Sequence, residues 1–592
     1  MVARTTRARR RLAAIGAVVY PDSAMTVLAG HAERRIADDL SGPPRTEILA
    51  LDRSRPGEVV GLLLFALSLL PSMLPRTVLF QGIVSGIAIM IGYALGAAGE
   101  GTWRFLGLPR AHGRARVIVR KILLGIVALF VASGTWRHVG WQNEVRAIYG
   151  LEPITPVVLV PVLIIAVLVA AMLLIVARSL RALFDATYRL LYRRLPHRLS
   201  LLLGGIAVVV LVNLIYNGVL VNAFFGVSNR IFSASDTSTE QGQRPPDSTL
   251  RSGGPDSLVS WDSLGRQGRS FVATGPTVDD LNALSGGGAV EPIRVYAGLR
   301  SADSLQARAD LVLDELIRTG AFDRAVLVIG TTTGTGYLDA AGVDPVEYVH
   351  NGDTAIVGVQ YSYLPSWISL LADQEKVRRT SRVVFETIQG HWSDLPEEGR
   401  PEVYLYGLSL GSYGVESILT SVDLLNEPID GALLVGPPFV NQLWNDLVDN
   451  RERDTSPSLP IYEGGRTVRF MGEDDALGQP EGDWGPTRIA YLQHASDPVV
   501  YFSPDLFLAP PDWLEEGQRG PGIADDFVYV PVVTFWQMAF DLAAAGNVPV
   551  GWGHMYSPEA NGAAWAAVTR PDGWTDADTE ALRRFLAERP DH

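Results

Sequence analysis

The 592-residue sequence contains no cysteine, which excludes disulfides, thiolate catalysis and cysteine-held metals. Lysine is nearly absent too: Lys121 and Lys376 are the only two, so arginine carries almost all the positive charge. That charge is not where a nucleic-acid partner would need it. Residues 1–227 hold 25 basic and 11 acidic side chains, and the remainder holds 25 and 53. An acidic globular half argues against nucleic-acid binding. No glycine-rich stretch ends in G-K-[ST] or reads G-x-G-x-x-G, which removes the familiar nucleotide cradles. Neither a cofactor nor a metal is expected.

Apolar sequence is abundant and concentrated in the first half. The mean hydropathy of +0.16 is high for a water-soluble chain. Five apolar stretches, 57–74, 78–97, 118–136, 154–177 and 199–221, each approach the roughly 20 residues that cross a bilayer. Charge is almost absent within them, so no intramembrane ion path is indicated and a transporter is disfavoured. The loop after the second stretch carries Arg104, Arg110, Arg114, Arg116, Arg120 and Lys121. The loop after the fourth carries Arg178, Arg181, Arg189, Arg193, Arg194 and Arg198. The first and third loops offer only Arg76, then Arg137 and Arg146. Basic loops stay in the cytoplasm, so the arginine-rich tail 1–56 is expected inside, and five spans deliver everything after residue 221 to the outer side. Within the second stretch, Gly82-x-x-x-Gly86 and Gly92-x-x-x-Gly96 have the small-residue spacing that permits close helix packing.

Residues 228–257, rich in Ser, Thr, Pro, Gly and Gln, read as a linker. From 258 onward short apolar strands alternate with amphipathic helices. Strands are expected near 292–296, 325–329, 354–359, 402–406, 431–435 and 487–493, with helices near 304–319 and 377–389. That alternation predicts a mostly parallel sheet covered on both faces.

The most informative stretch is Pro401–Ser421, PEVYLYGLSLGSYGVESILTS. A strand runs into Gly407-Leu408-Ser409-Leu410-Gly411 and then into a helix, the setting in which G-x-S-x-G becomes a nucleophile elbow. The turn is tight enough that side chains two residues before and after the serine would collide, hence Gly407 and Gly411. Ser409 is the candidate nucleophile. A serine hydroxyl needs a base, and the base needs an orienting carboxylate. In an elbow of this kind the chain order is Ser, then Asp or Glu, then His. Asp497 stands at the end of the strand 487–493, where Pro498 forces a turn. Asp474, Asp475, Asp483 and Asp505 are weaker rivals in loop-like segments. His554 follows an apolar run ending in Gly551-Trp552-Gly553, late in the chain. His494 precedes Asp497 and breaks the order, and His592 is terminal. For the two amide donors that stabilise a tetrahedral oxyanion, the candidates are Leu410, at the start of the elbow helix, and Thr332 or Thr331, in the glycine-rich loop 330–336.

With these residues in view, the chain resembles the membrane-anchored α/β-hydrolases typical of actinobacteria. The most specific stretches are PDSLVSWDSLGRQGRSFV at Pro255–Val272, RTGAFDR at Arg318–Arg324, QYSYLPSW at Gln360–Trp367, and GLSLG at Gly407–Gly411. The resemblance implies an N-terminal all-α membrane domain and a C-terminal α/β-hydrolase fold, with Ser409, Asp497 and His554 as triad. It supplies no substrate. The expected activity is hydrolysis of a lipid-like ester through an acyl-enzyme. Acyl transfer onto an envelope lipid or glycan begins with the same acylation, and a membrane scaffold with a vestigial hydrolase domain is the non-enzymatic alternative. By analogy with this fold, 437–485 is expected to house a lid. The aromatics of 501–536 are expected mainly as core, with an acyl pocket or a lipid-facing surface as the alternatives.

Overall fold

A computed structural model describes residues 54–109, 113–372, 374–421, 429–474, 477–478, 480 and 482–589. The expected tail up to residue 53, together with Asp475 and His592, lies outside the described residues.

The N-terminal region is helical: α1 (Arg55–Ser68), α2 (Val78–Phe105), α3 (Gly113–Ile148), α4 (Leu159–Tyr192), α5 (His197–Asn213) and α6 (Asn222–Ser235). Three described helical stretches are long and apolar enough to cross a membrane: Val78–Phe105, Val117–Ile148 and Pro156–Tyr192. The first expected span is a 14-residue helix, about 21 Å at 1.5 Å per residue. The fifth is divided between the 17 residues of α5 and a π-helical segment, Leu214–Val221, that leads without a break into α6. Side chains such as Leu129 and Leu168 point outward, as lipid-facing positions should. The glycine spacings in α2 are packing surfaces. A Cβ at Gly92 would come within 2.7 Å of the Gly61 Cα of α1, and one at Gly82 would stand 2.6 Å from the Ile165 Cβ of α4.

The C-terminal region is built on seven strands: β1 (Ile293–Ala297), β2 (Val326–Thr331), β3 (Thr354–Val359), β4 (Glu402–Leu408), β5 (Gly431–Val435), β6 (Val468–Met471) and β7 (Arg488–Leu492). Every described pairing is parallel, in the order β1-β3-β2-β4-β5-β7-β6. Strands buried on both faces read as near-continuous apolar runs, and β2, β3 and β5 are buried at every position. The register pairs Thr331 of β2 with Gly407 of β4, and Leu408 of β4 with Val435 of β5. The carboxyl ends of the three central strands therefore converge at one point.

The segment after β5 supplies the edge strand β6, and Trp444, Leu447 and Phe470 are buried in the main core. The segment 228–257 is ordered against the sheet. Its first residues complete α6, and the chain then lies along β1, where the Ser252 amide donates to the Arg294 carbonyl at 3.0 Å and the Arg294 amide to the Leu250 carbonyl at 3.2 Å. The aromatics of 501–536 are mostly core, with Tyr501, Phe502, Trp513 and Phe527 buried.

Loops of the helical region enter the hydrophobic core of the sheet region. Met73, Leu74, Val145 and Tyr149 belong to the same buried cluster as the strands. The loop between α1 and α2 docks on the helix Val533–Ala544. Asp541 accepts from the Ser72 hydroxyl (3.2 Å) and the Leu74 amide (3.4 Å), and its carboxylate faces Arg76 Nε at 3.5 Å with both side chains 2% exposed. Gln537 donates to the Leu70 carbonyl at 3.1 Å, and the Phe80 and Phe540 rings lie 6.1 Å apart. Removing one member of a buried ion pair strands the other charge. Asp541→Ala is expected to cost about 3–5 kcal/mol, read as a lowered thermal unfolding midpoint of the full chain in detergent.

Candidate active site

The elbow forms because β4 must reverse into the helix Leu410–Leu419 with no intervening loop. Ser409 sits at the join with φ 54° and ψ −124°, a region that non-glycine residues seldom occupy and that costs about 1–3 kcal/mol. Its amide donates to the Val435 carbonyl at 2.8 Å, and its carbonyl accepts from the Ser412 amide at 2.8 Å. Gly407 and Gly411 are required by space. A Cβ at Gly407 would overlap the Gly411 carbonyl and the Ser412 nitrogen, and one at Gly411 would overlap the Thr331 carbonyl.

Asp497 caps the short helix Pro498–Tyr501 and is fully buried. Its Oδ1 accepts from the Val499 amide at 2.8 Å. Its Oδ2 accepts from the Tyr556 hydroxyl at 2.7 Å and faces His554 Nδ1 at 2.6 Å. An ionised carboxylate only accepts, so His554 carries its proton on Nδ1 and turns the Nε2 lone pair outward. That Nε2 is buried and has no hydrogen-bond partner among the described residues. Burial and the Asp497 charge push the Tyr556 phenol well above its ordinary value, so it stays a donor.

Gly436, at φ 53° directly after β5, brings serine and histidine together. Ser409 is bonded to the residue before it, and a Cβ on Gly436 would stand 2.7 Å from His554 Cε1. On the other side of the elbow, Leu410 opens the helix, so no intrahelical acceptor exists for its amide. Thr332 directly follows β2, and its hydroxyl donates to the Val359 carbonyl at 2.9 Å. The expected residues Ser409, Asp497, His554, Leu410 and Thr332 thus gather at the carboxyl ends of β2, β4, β5 and β7. Asp474, Asp483 and Asp505 are exposed.

His494 is used differently. Its Nδ1 faces the Gly553 carbonyl and its Nε2 faces Glu473 Oε1, each at 2.9 Å, while its ring stacks on Tyr556 at 4.1 Å. Both partners are hydrogen-bond acceptors. Burial would raise the Glu473 carboxyl, but the hydrogen bond and charge of His494 with two Ser557 donors hold it below its ordinary value. This pair clamps the loop that carries His554. The same loop is braced from the helical region: the Tyr149 ring lies 5.1 Å from Trp552, and the Tyr149 hydroxyl donates to the Met73 carbonyl at 3.1 Å. The Gly553 amide donates to Ser496 Oγ at 3.1 Å.

This geometry has a counterpart among known sequences. Residues 293–582 match the alpha/beta-hydrolase family, and residues 69–276 match the N-terminal region described for that family. The chain belongs to this alpha/beta-hydrolase family. No curated protein and no solved structure matches it. Family membership accounts for the parallel sheet and a hydrolase-like fold, and the N-terminal match covers the apolar helices from α2 onward and the chain as far as residue 276.

Sequence reasoning missed Tyr556, Glu473, Gly436 and Tyr149 as parts of the candidate site. Tyr556, two residues after His554, was within reach of a local reading, whereas the other three act only through long-range contact. Gly436 gives a direct check. Gly436→Ala forces a Cβ into the His554 ring from a left-handed backbone position, and a displacement of about 1 Å can cost 10²-fold. The variant is expected to keep its unfolding midpoint within a few degrees and lose on the order of 10² in any turnover that depends on His554.

Proposed function

We propose that the chain is a membrane-anchored serine hydrolase that cleaves a lipid-like ester through an acyl-enzyme. The observation that carries this reading is His554. Its Nδ1 meets Asp497, and its buried Nε2 has no hydrogen-bond partner among the described residues, which leaves it free to act as a base. In the proposed mechanism Ser409 Oγ attacks the ester carbonyl carbon while His554 Nε2 takes its proton. The amides of Leu410 and Thr332 receive the developing oxyanion. Collapse of the tetrahedral intermediate expels the alcohol, which takes the proton back from His554. Water, deprotonated by His554, then releases the acid and restores Ser409. Asp497 stays ionised throughout and holds the imidazole in the tautomer that makes Nε2 the base.

Fluorophosphonate labelling of the full chain tests the assignment. Wild type is expected to label and Ser409→Ala to be silent. Ser409→Ala and His554→Ala should each abolish nearly all turnover, with a double variant scarcely worse than either, because the residues act as one unit. Asp497→Asn should lose on the order of 10⁴-fold with the fold intact. A folded wild type that does not label would end the enzyme reading. Acyl transfer to a lipid or glycan is separated from hydrolysis by product analysis with such acceptors present.

We further propose that 57–227 is the membrane domain, the tail 1–56 is cytoplasmic and the catalytic domain 258–592 lies outside. Arginine distribution motivates this orientation, and packing supports it. The helix ends that meet the catalytic domain, around Ser72, Leu74 and Tyr149, belong to the arginine-poor loops. Arg104, Arg114, Arg120 and Lys121 stand at the opposite ends of α2 and α3. Arg76, the exception, is neutralised by Asp541. A reporter fused after residue 592 should be accessible in intact cells without permeabilisation, and cytoplasmic accessibility would overturn the topology.

A further inference from the structure

Beside the elbow lies a second feature that the hydrolytic mechanism does not use. A cavity of about 450 Å³ opens between the helices Leu305–Thr319 and Gln374–Ser393, the loop after β3, and α6. Three cations line it, Arg308, Lys376 and Arg379, and none of the described residues lining it is acidic. Lys376 is one of only two lysines in the chain. Arg308 donates to the Ala302 carbonyl at 3.3 Å through Nη1, but its Nε is buried without a hydrogen-bond partner among the described residues. The neighbouring Glu375 is exposed and lies 3.7 Å from Arg378 on the same helix. A concave surface with three positive side chains, one of them carrying a buried unpartnered Nε, is a site for an anion.

Two further observations say where such an anion comes from. Asn229, on α6, forms one wall of the cavity. The apolar run of the last membrane-region segment continues into α6, where Phe224 and Val227 are exposed. The Phe224 ring lies 6.4 Å from that of Trp367, which is 57% exposed. Outward-facing aromatic and apolar side chains at the end of an apolar helix have the character of a membrane interface. On its inner side the cavity shares Tyr361 and Thr380 with a small void walled by Thr331 and Thr332, and Tyr361 packs on Leu410. The cationic cavity therefore lies between a lipid-like surface and the candidate oxyanion loop.

We propose that this cavity seats the phosphate headgroup of an anionic membrane phospholipid, with its acyl chains against Phe224 and Trp367. Binding here does not depend on the reading of Ser409 as a nucleophile, and the test keeps the two apart. Full-length protein in detergent is titrated with phosphatidylglycerol, phosphatidylcholine or inorganic phosphate, and bound adducts are read by native mass spectrometry. Phosphatidylglycerol is expected to bind at least tenfold more tightly than phosphatidylcholine. The combined variant Arg308→Gln, Lys376→Gln, Arg379→Gln should lose that preference, and the single variant Arg379→Gln, at an exposed position, should weaken it several-fold. Inorganic phosphate should not compete at equal concentration. Equal binding of the two lipids, a preference that survives in both variants, or displacement by equimolar phosphate would each overturn the proposal. Fluorophosphonate labelling of Ser409 in the same variants is expected to stay at the wild-type level. Its absence in wild type would bear on the hydrolase reading alone, because adduct formation is measured without turnover.

Discussion

A serine held at φ 54° between a strand and a helix is the constraint on which the rest of the centre depends. The strain of about 1–3 kcal/mol persists only where surrounding structure over-determines the backbone. Here that structure is the parallel sheet itself. β4 has a strand on each side, and the Val435 carbonyl of β5 fixes the serine amide. The glycines on either side are consequences of the same crowding, because the turn leaves room for Thr331 and Ser412 but not for a Cβ. Once Ser409 is fixed, Gly436 must also lack a side chain, since the histidine ring occupies that space. One backbone geometry thus sets three glycines and the position of a fourth residue.

The histidine is held by more than its carboxylate. Asp497 and Tyr556 orient the ring, Glu473 and His494 clamp the loop through the Gly553 carbonyl, and Tyr149 packs on Trp552 from the helical region. Each restraint removes one way for the imidazole to drift, and catalysis by a positioned base depends on geometry before it depends on basicity. These restraints come from three separate parts of the chain, so the site is a property of the whole fold rather than of the elbow alone.

Much of this was legible in the sequence because it is local. The elbow is a contiguous strand, turn and helix, and Asp497 and His554 follow it in the chain order that such elbows require. The strands read well because burial on both faces makes them apolar throughout. What failed to read was whatever depends on distant partners. β6 is only four residues long, includes Arg469 and is flanked by polar, glycine-rich sequence, so its pairing with β7 left no local trace. The composition of 228–257 looks like a linker because Ser, Pro and Gly suit irregular chain, yet irregular chain can be ordered by the strand it lies against. Arg76 looked like an ordinary loop charge, and its partner Asp541 is 465 residues away in sequence.

The apolar first half does more than an anchor needs to do. A single span of roughly 20 residues holds a protein in a bilayer. Here the loop 69–77 and the end of α3 place Met73, Leu74, Val145 and Tyr149 inside the catalytic core. Without them the sheet region would present an apolar surface to water, with Asp541 buried beneath it and missing its cation. The loop that carries His554 would lose one of its walls. The sheet region and the loop ends of the helical region therefore share one core, and on the proposed reading the apolar helices would hold the candidate site in register as well as anchor the protein.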